Sequence, residues 1–212
     1  MLYCYPDKIT DELIETMARQ PKVLHYIDLP LQHADDNMLK AMNRRGDSAH
    51  IRSVISKIRE AMPDAVIRTT FIVGFPGEGE KEFENLAEFV NEIEFDRLGC
   101  FSFSPQEGTP AYDFENQVEE DVKLRRGEII MQDQLEIVTV KNHERIGKRY
   151  RVIVEDYDGY TDSYSGRTYM DAPEIDGSIS FTTDKNYENG DFADVVIIGV
   201  NDYDLIGKDI SE

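Results

Sequence analysis

The 212-residue chain has no tryptophan, only two cysteines, and no apolar run of membrane-spanning length. A bilayer span needs roughly 18–20 apolar residues in succession, so no transmembrane helix is expected. Cys4 and Cys100 stand 96 positions apart and belong to no spaced ligand motif. Two reduced thiols are the expectation, rather than a disulfide or a metal site, and with them a cytoplasmic protein. The first six residues lack a basic segment and a long apolar core, so no signal peptide is expected. The turn Gly74-Phe75-Pro76-Gly77-Glu78 lacks the Gly-Lys-Ser/Thr ending of a phosphate-binding P-loop.

Positive charge is the other scarcity. Lys and Arg number 23 against 43 Asp and Glu, a net charge of −20. Such a surface repels a phosphate backbone and favours basic partners. The densest basic runs, Asn43-Arg44-Arg45 and Lys123-Leu124-Arg125-Arg126, are short. A hydrophobic fraction of 40% with 31% charged residues is what a globular domain with a real core carries.

The pattern along the chain changes once. In the first part strands alternate with helices: strands are expected at residues 2–5, 25–29, 66–73 and 97–103. Helices are expected at 9–19, 35–43, 48–62, 79–92 and 119–145, the first capped by Thr10 or Asp11. Strands separated by helices of 10–15 residues imply parallel βαβ units. Four strands cannot close a (β/α)₈ barrel, which takes about 250 residues. Either the sheet is open or the chain begins inside a domain. After Gly147 the helical spacing gives way to short alternating runs broken at Asp158-Gly159, Gly166, Asp176-Gly177 and Asn189-Gly190-Asp191. Five short strands in about 65 residues suggest a small closed all-β barrel of OB-like type. The expected domains are residues 1–143 and 144–212. The second carries seven basic and sixteen acidic residues, a net −9.

The run Thr70-Phe71-Ile72-Val73 stops at Gly74 and Pro76 and hands over to a polar helix, which marks a βα junction. Ligands of α/β sheets sit at the carboxyl ends of strands, and Gly74 and Gly77 let backbone approach a ligand closely. Gln32 and His33 end the preceding strand. They suit a ribose or carboxylate, or simply a helix-capping turn. Glu78 either accepts hydrogen bonds from a ligand or caps the next helix. Arg68 either meets a carboxylate or is a solvated charge at strand entry. Ser102 and Ser104 end the next strand near the same sheet edge.

Four segments together resemble the radical-SAM methylthiotransferases. They are Asp28-Leu29-Pro30-Leu31-Gln32-His33-Ala34, Arg68 through Glu78, Gly99 through Pro105, and Glu107-Gly108-Thr109. The segment after Lys148 resembles the C-terminal TRAM barrel of that family. The implied fold is α/β: a partial radical-SAM (β/α) barrel, then an OB-like TRAM barrel. Two branches of the family differ in substrate. One methylthiolates an adenosine of tRNA; the other modifies the β-carbon of an aspartate in ribosomal protein S-twelve. Gln32-His33-Ala34 and Asp171-Ala172-Pro173-Glu174-Ile175-Asp176-Gly177 resemble the second. An acidic barrel also suits a basic ribosomal protein better than tRNA. The resemblance implies S-adenosylmethionine as cofactor, with Gln32, Arg68, Gly74 and Glu78 binding it and Ser102 near the adenine. It also implies two [4Fe–4S] clusters. The CxxxCxxC loop and the auxiliary-cluster cysteines are missing from this sequence, so no metal ligand is assigned and the chain is expected to be an N-terminally truncated, inactive, monomeric form. The alternatives are the tRNA enzyme and a non-catalytic TRAM module that docks a basic ribosomal protein.

Overall fold

A computed structural model describes residues 1–211, which divide into two compact units, the first Met1–Gln134 and the second beginning at Leu135. Short side chains and carboxylates fix where the helices of the first unit begin. Thr10 Oγ1 accepts the Leu13 N–H to start α1 (Asp11–Arg19). Asp35 accepts from Asn37 and Met38 ahead of α2 (Asp36–Ala41), and Asp47 from His50 ahead of α3 (Ser48–Ala61). Each cap satisfies backbone donors that the first helical turn leaves unpaired. At α4 (Glu80–Ile93) the Glu82 carboxylate reaches back to the Gly79 N–H at 3.1 Å. The last helix, α5 (Glu120–His143), contributes residues to both units.

Between the helices run three strands, β1 (Tyr26–Gln32), β2 (Val66–Val73) and β3 (Arg97–Ser102), paired in parallel in that order. β2 shows why one face is buried: Ile67, Thr69, Phe71 and Val73 are enclosed while Arg68, Thr70 and Ile72 are half-buried. The period of two puts every second side chain on one face. Phe71 meets Phe89 of α4 and Phe95 edge-on, with centroids 6.4 and 5.8 Å apart. That geometry suits the ring quadrupoles.

The strand expected at residues 2–5 does not form. Tyr3 has φ +58° and turns its N–H to the Asp28 carboxylate, 3.0 Å away. The segment still lies along β1, with Asp28 N–H donating to Met1 O and Cys4 N–H to Asp28 O. A left-handed residue in the middle prevents a continuous ladder.

The second unit is a closed five-stranded barrel of β4 (Arg149–Asp158), β5 (Ser163–Arg167), β6 (Ile179–Thr182), β7 (Phe192–Asn201) and β8 (Asp204–Asp209), in the order β4-β5-β6-β8-β7. Only β6 and β8 pair in parallel. Val152, Val154, Ile179, Phe181, Val195 and Ile197 fill the interior. The barrel closes tightly at Gly166, where a Cβ would sit 2.2 Å from the Ile153 carbonyl oxygen. Between β5 and β6 the loop is tied to itself. Asp171 accepts from the Thr168 N–H and hydroxyl, and Asp176 from the Ala172 N–H. The expected five strands are all present.

Candidate functional site at the carboxyl edge of the sheet

The carboxyl ends of β1 and β2 and the segment after β3 converge on a groove of about 410 Å³. Its size lies within the range of small-molecule sites. Ile72 forms part of the floor, and Phe75, Phe103 and Phe114 form an aromatic wall. Phe75 lies 5.0 Å from Phe103 and 6.1 Å from Phe114, edge-on to both. Gln32 and Arg44 bring polar groups to this apolar lining, and Arg44 is its one charged residue. The Arg44 guanidinium stacks 4.7 Å above the Tyr5 ring and donates to the Pro30 carbonyl. These two contacts hold it over the groove. An apolar wall with a few fixed polar groups takes a flat aromatic group together with a carboxylate.

The β1 end departs from regular strand geometry. Its register shifts between Leu29 and Gln32, and Gln32 has φ +72°. After β2, Gly74 adopts φ +73°, and a Cβ there would fall 2.2 Å from Lys123 Cγ. Glycine is required at Gly74 on both counts. Its N–H donates to Glu78 Oε1 at 2.9 Å. The Glu78 N–H in turn donates to the Phe75 carbonyl, which closes the turn.

Glu78 does not face the groove. Its side chain is fully enclosed, and its oxygens accept from Gly74, from Arg126 Nη1 at 2.8 Å and from His33 Nε2 at 3.1 Å. The enclosed His33 Nδ1 accepts the Asp35 N–H at 3.0 Å, which leaves Nε2 as the nitrogen bearing hydrogen. Of the five residues singled out from the sequence, Gln32 lines the groove, and Gly74 and Glu78 build its turn. Arg68 lies in the first half of β2, where Asp28 Oδ1 accepts from its Nη1 at 3.0 Å. Ser102 pairs with Val73 in the ladder, and a Cβ on Gly127 of α5 would come within 4.0 Å of its Oγ. Neither belongs to the groove lining. Arg44, Phe75, Phe114 and the buried Arg126 were not singled out. The Asn43-Arg44-Arg45 and Lys123-Leu124-Arg125-Arg126 runs were the available signals for Arg44 and Arg126, though neither run marks its arginine as buried or as lining a site.

Residues 2–90 match the Radical SAM superfamily and residues 146–210 the TRAM domain family. The first part of the chain is thus similar to radical SAM proteins and its barrel to TRAM domains. Along its whole length it is 48% identical to a protein of Acetivibrio thermocellus named Ribosomal protein uS12 methylthiotransferase RimO. A Thermoanaerobacter protein of the same name is 46% identical over 98% of the chain. The chain spans 47% of the length of each of these two relatives. Among solved structures, coproporphyrinogen III oxidase (HemN) of Escherichia coli, a radical SAM enzyme, shares the fold with a TM-score of 0.51. It is 18% identical, over 65% of this chain and 31% of that one.

Radical SAM methylthiotransferases use S-adenosylmethionine and [4Fe–4S] clusters. The groove fits the first, having an aromatic wall for an adenine and a cation for a carboxylate. The clusters do not fit the residues present. Among the described residues no three His, Cys, Asp or Glu side chains gather to hold a metal. Burial, reinforced by the nearby charge of Glu78, pushes the Cys100 thiol up to about 12. Cluster ligation needs several converging thiolates, and this chain has two cysteines in all, Cys4 and Cys100.

Proposed function

We propose that this chain provides the S-adenosylmethionine groove and the substrate-docking barrel of a methylthiotransferase acting on ribosomal protein uS12. The observation that carries this reading is the groove itself: an aromatic wall, Ile72, and polar side chains that include Gln32 and Arg44, at the carboxyl edge of a parallel sheet. In it the adenine stacks against Phe75 and Phe103, Gln32 hydrogen-bonds the ribose, and Arg44 meets the carboxylate. Gly74 and Glu78 shape the turn without touching the ligand. S-adenosylmethionine supplies the radical precursor and the methyl group. No step is assigned to clusters, because this chain lacks their ligands. The division into residues 1–143 and 144–212 separates the two tasks, and the protein is read as a cytoplasmic monomer.

The charge of the barrel supports a basic protein substrate over tRNA. The β4–β5 hairpin carries Glu155, Asp156, Asp158 and Asp162 around Tyr160, which is 97% exposed. Asp158 accepts from the Tyr160 N–H and the Thr161 hydroxyl, so the tip is held in one shape. In OB-like barrels the loop between the first two strands belongs to the ligand face. Here it offers carboxylates and an aromatic ring, which suit arginine and lysine.

Calorimetric titration of the chain with S-adenosylhomocysteine, followed by capture assays with purified uS12 and with tRNA, tests both halves. Saturable binding of S-adenosylhomocysteine and selective capture of uS12 are expected. Absence of that binding removes the groove reading. Salt-sensitive capture of tRNA instead of uS12 transfers the chain to the tRNA branch.

A further inference from the structure

His33 and Arg126 come from distant parts of the sequence and meet on one carboxylate, that of Glu78. All three residues are buried, and none lines the groove. The Glu78 oxygens are shared in a definite way. Oε1 takes the Gly74 N–H and Arg126, while Oε2 takes His33. Arg126 Nη1 also donates to the Glu78 backbone carbonyl at 2.9 Å, so the guanidinium grips both ends of the residue. The second nitrogen of His33 is committed to the Asp35 N–H, and Asp35 itself caps α2 and accepts from Asn85 at 2.7 Å.

The result is a continuous path of hydrogen bonds from the β1 end to the β2 end. The residue at the β1 end, Gln32, and the residue at the β2 end, Gly74, both have positive φ. The β1–β2 register shifts between Leu29 and Gln32, with Gln32 pairing again at Phe71, and Gly74 lies just past the last β2–β3 pair, Val73 with Ser102. A left-handed non-glycine backbone persists only where surrounding contacts determine it. Gln32 is followed directly by His33, so fixing the imidazole also fixes the neighbouring peptide.

We propose that His33 and Arg126 are positioning residues: through Glu78 they lock the Gln32 and Gly74 turns together and so keep the groove preformed for its ligand. This rests on the groove reading given above for the identity of the ligand, though not for the existence of the lock. A preformed site spares the ligand the cost of ordering the loops around it. Asp35 already caps α2, and accepting the Asp35 N–H needs only a short acceptor; what the histidine adds is the donor to Glu78.

Two substitutions separate these roles. His33→Gln has an amide group at the distance of Nε2 and preserves the donor to Glu78, while giving up the acceptor for Asp35. His33→Asn does the reverse. Each variant of the full chain is examined by amide hydrogen exchange at Gly74 and by titration with S-adenosylhomocysteine, with exchange in α3 and β7 as the folding control. His33→Gln is expected to keep Gly74 protection and affinity within about threefold of the parent. His33→Asn is expected to speed Gly74 exchange and weaken binding by roughly tenfold, the scale of one unsatisfied buried acceptor. Arg126→Met is expected to behave like His33→Asn. The opposite order, with Asn tolerated and Gln harmful, assigns His33 to capping alone and overturns the proposal. So does an unchanged Gly74 amide in His33→Asn. If the parent chain does not bind S-adenosylhomocysteine, the ligand reading fails while the exchange data still decide the lock.

Discussion

Lys123 occupies the space in which a side chain on Gly74 would have to grow: a Cβ there would lie 2.2 Å from Lys123 Cγ and 3.0 Å from its Cβ. The lysine stem is buried, and its ammonium reaches Glu120 at 2.8 Å. Gly74 therefore meets two constraints at once, a positive φ and a packed neighbour. Gly74→Ala is expected to destabilise the chain by about 1–3 kcal/mol, combining backbone strain with displacement of Lys123. A lower urea midpoint with an unchanged slope is the signature. An unaltered midpoint would mean that the turn relaxes freely.

Arg44 is expected to read the carboxylate of the nucleoside ligand. The parent chain should therefore prefer S-adenosylhomocysteine to methylthioadenosine, which has no carboxylate. In Arg44→Met that preference should shrink by about tenfold, the usual scale for a hydrogen bond to a charged group. Titrating both ligands into both proteins checks it. Equal loss of affinity for the two ligands would show that Arg44 only shapes the groove.

The Cys100 thiol, pushed up to about 12 by burial and then by Glu78, is expected to be inert to iodoacetamide at pH 8. The raised value also has a consequence for stability. The folded chain holds this proton more tightly than the unfolded chain, whose thiol ionises near its ordinary value of 9.0. The contribution is therefore complete below about pH 9 and is lost as pH rises toward about 12. Comparing the pH dependence of unfolding in the parent and in Cys100→Ala isolates it. The difference should fall by at most about 1.4 kcal/mol per pH unit. A flat difference across the alkaline range would contradict the assignment.

Tyr160→Ala is expected to leave stability within about 0.5 kcal/mol of the parent, because the ring is 97% exposed and buries nothing. Its effect should instead appear in capture of uS12, weakened by roughly tenfold, the scale of a cation–π contact freed of part of its water. Equal capture by parent and variant would move the docking face away from the hairpin.

The fold could be read from the sequence wherever local chemistry set it. Thr10 caps α1, Gly74 and Pro76 stop β2, and the glycine and asparagine turns separate the five barrel strands. Residues 2–5 were misread because a short apolar and aromatic run, Leu2-Tyr3-Cys4-Tyr5, looks like a strand, and nothing in the run itself reveals that Tyr3 turns toward the Asp28 carboxylate. The groove was legible as a location, the end of each parallel strand. It was not legible as a set of contacts. Glu78 has the sequence position of a ligand acceptor, yet its oxygens are taken by Gly74, Arg126 and His33. That distinction depends on Arg126, which lies 48 residues away in sequence. Arg68 has the chemistry to hold a carboxylate and does hold one, that of Asp28.

The parallel sheet stops at β3, and among the described residues no strand pairs with the outer side of β3. Phe101 on that strand is 62% exposed. A row of backbone donors and acceptors beside an exposed aromatic ring is a template for strand addition. In dilute solution water satisfies it. As concentration rises, the open edge can recruit another polypeptide, so storage of the purified chain should be limited by sheet extension at β3 before the closed barrel loses its shape.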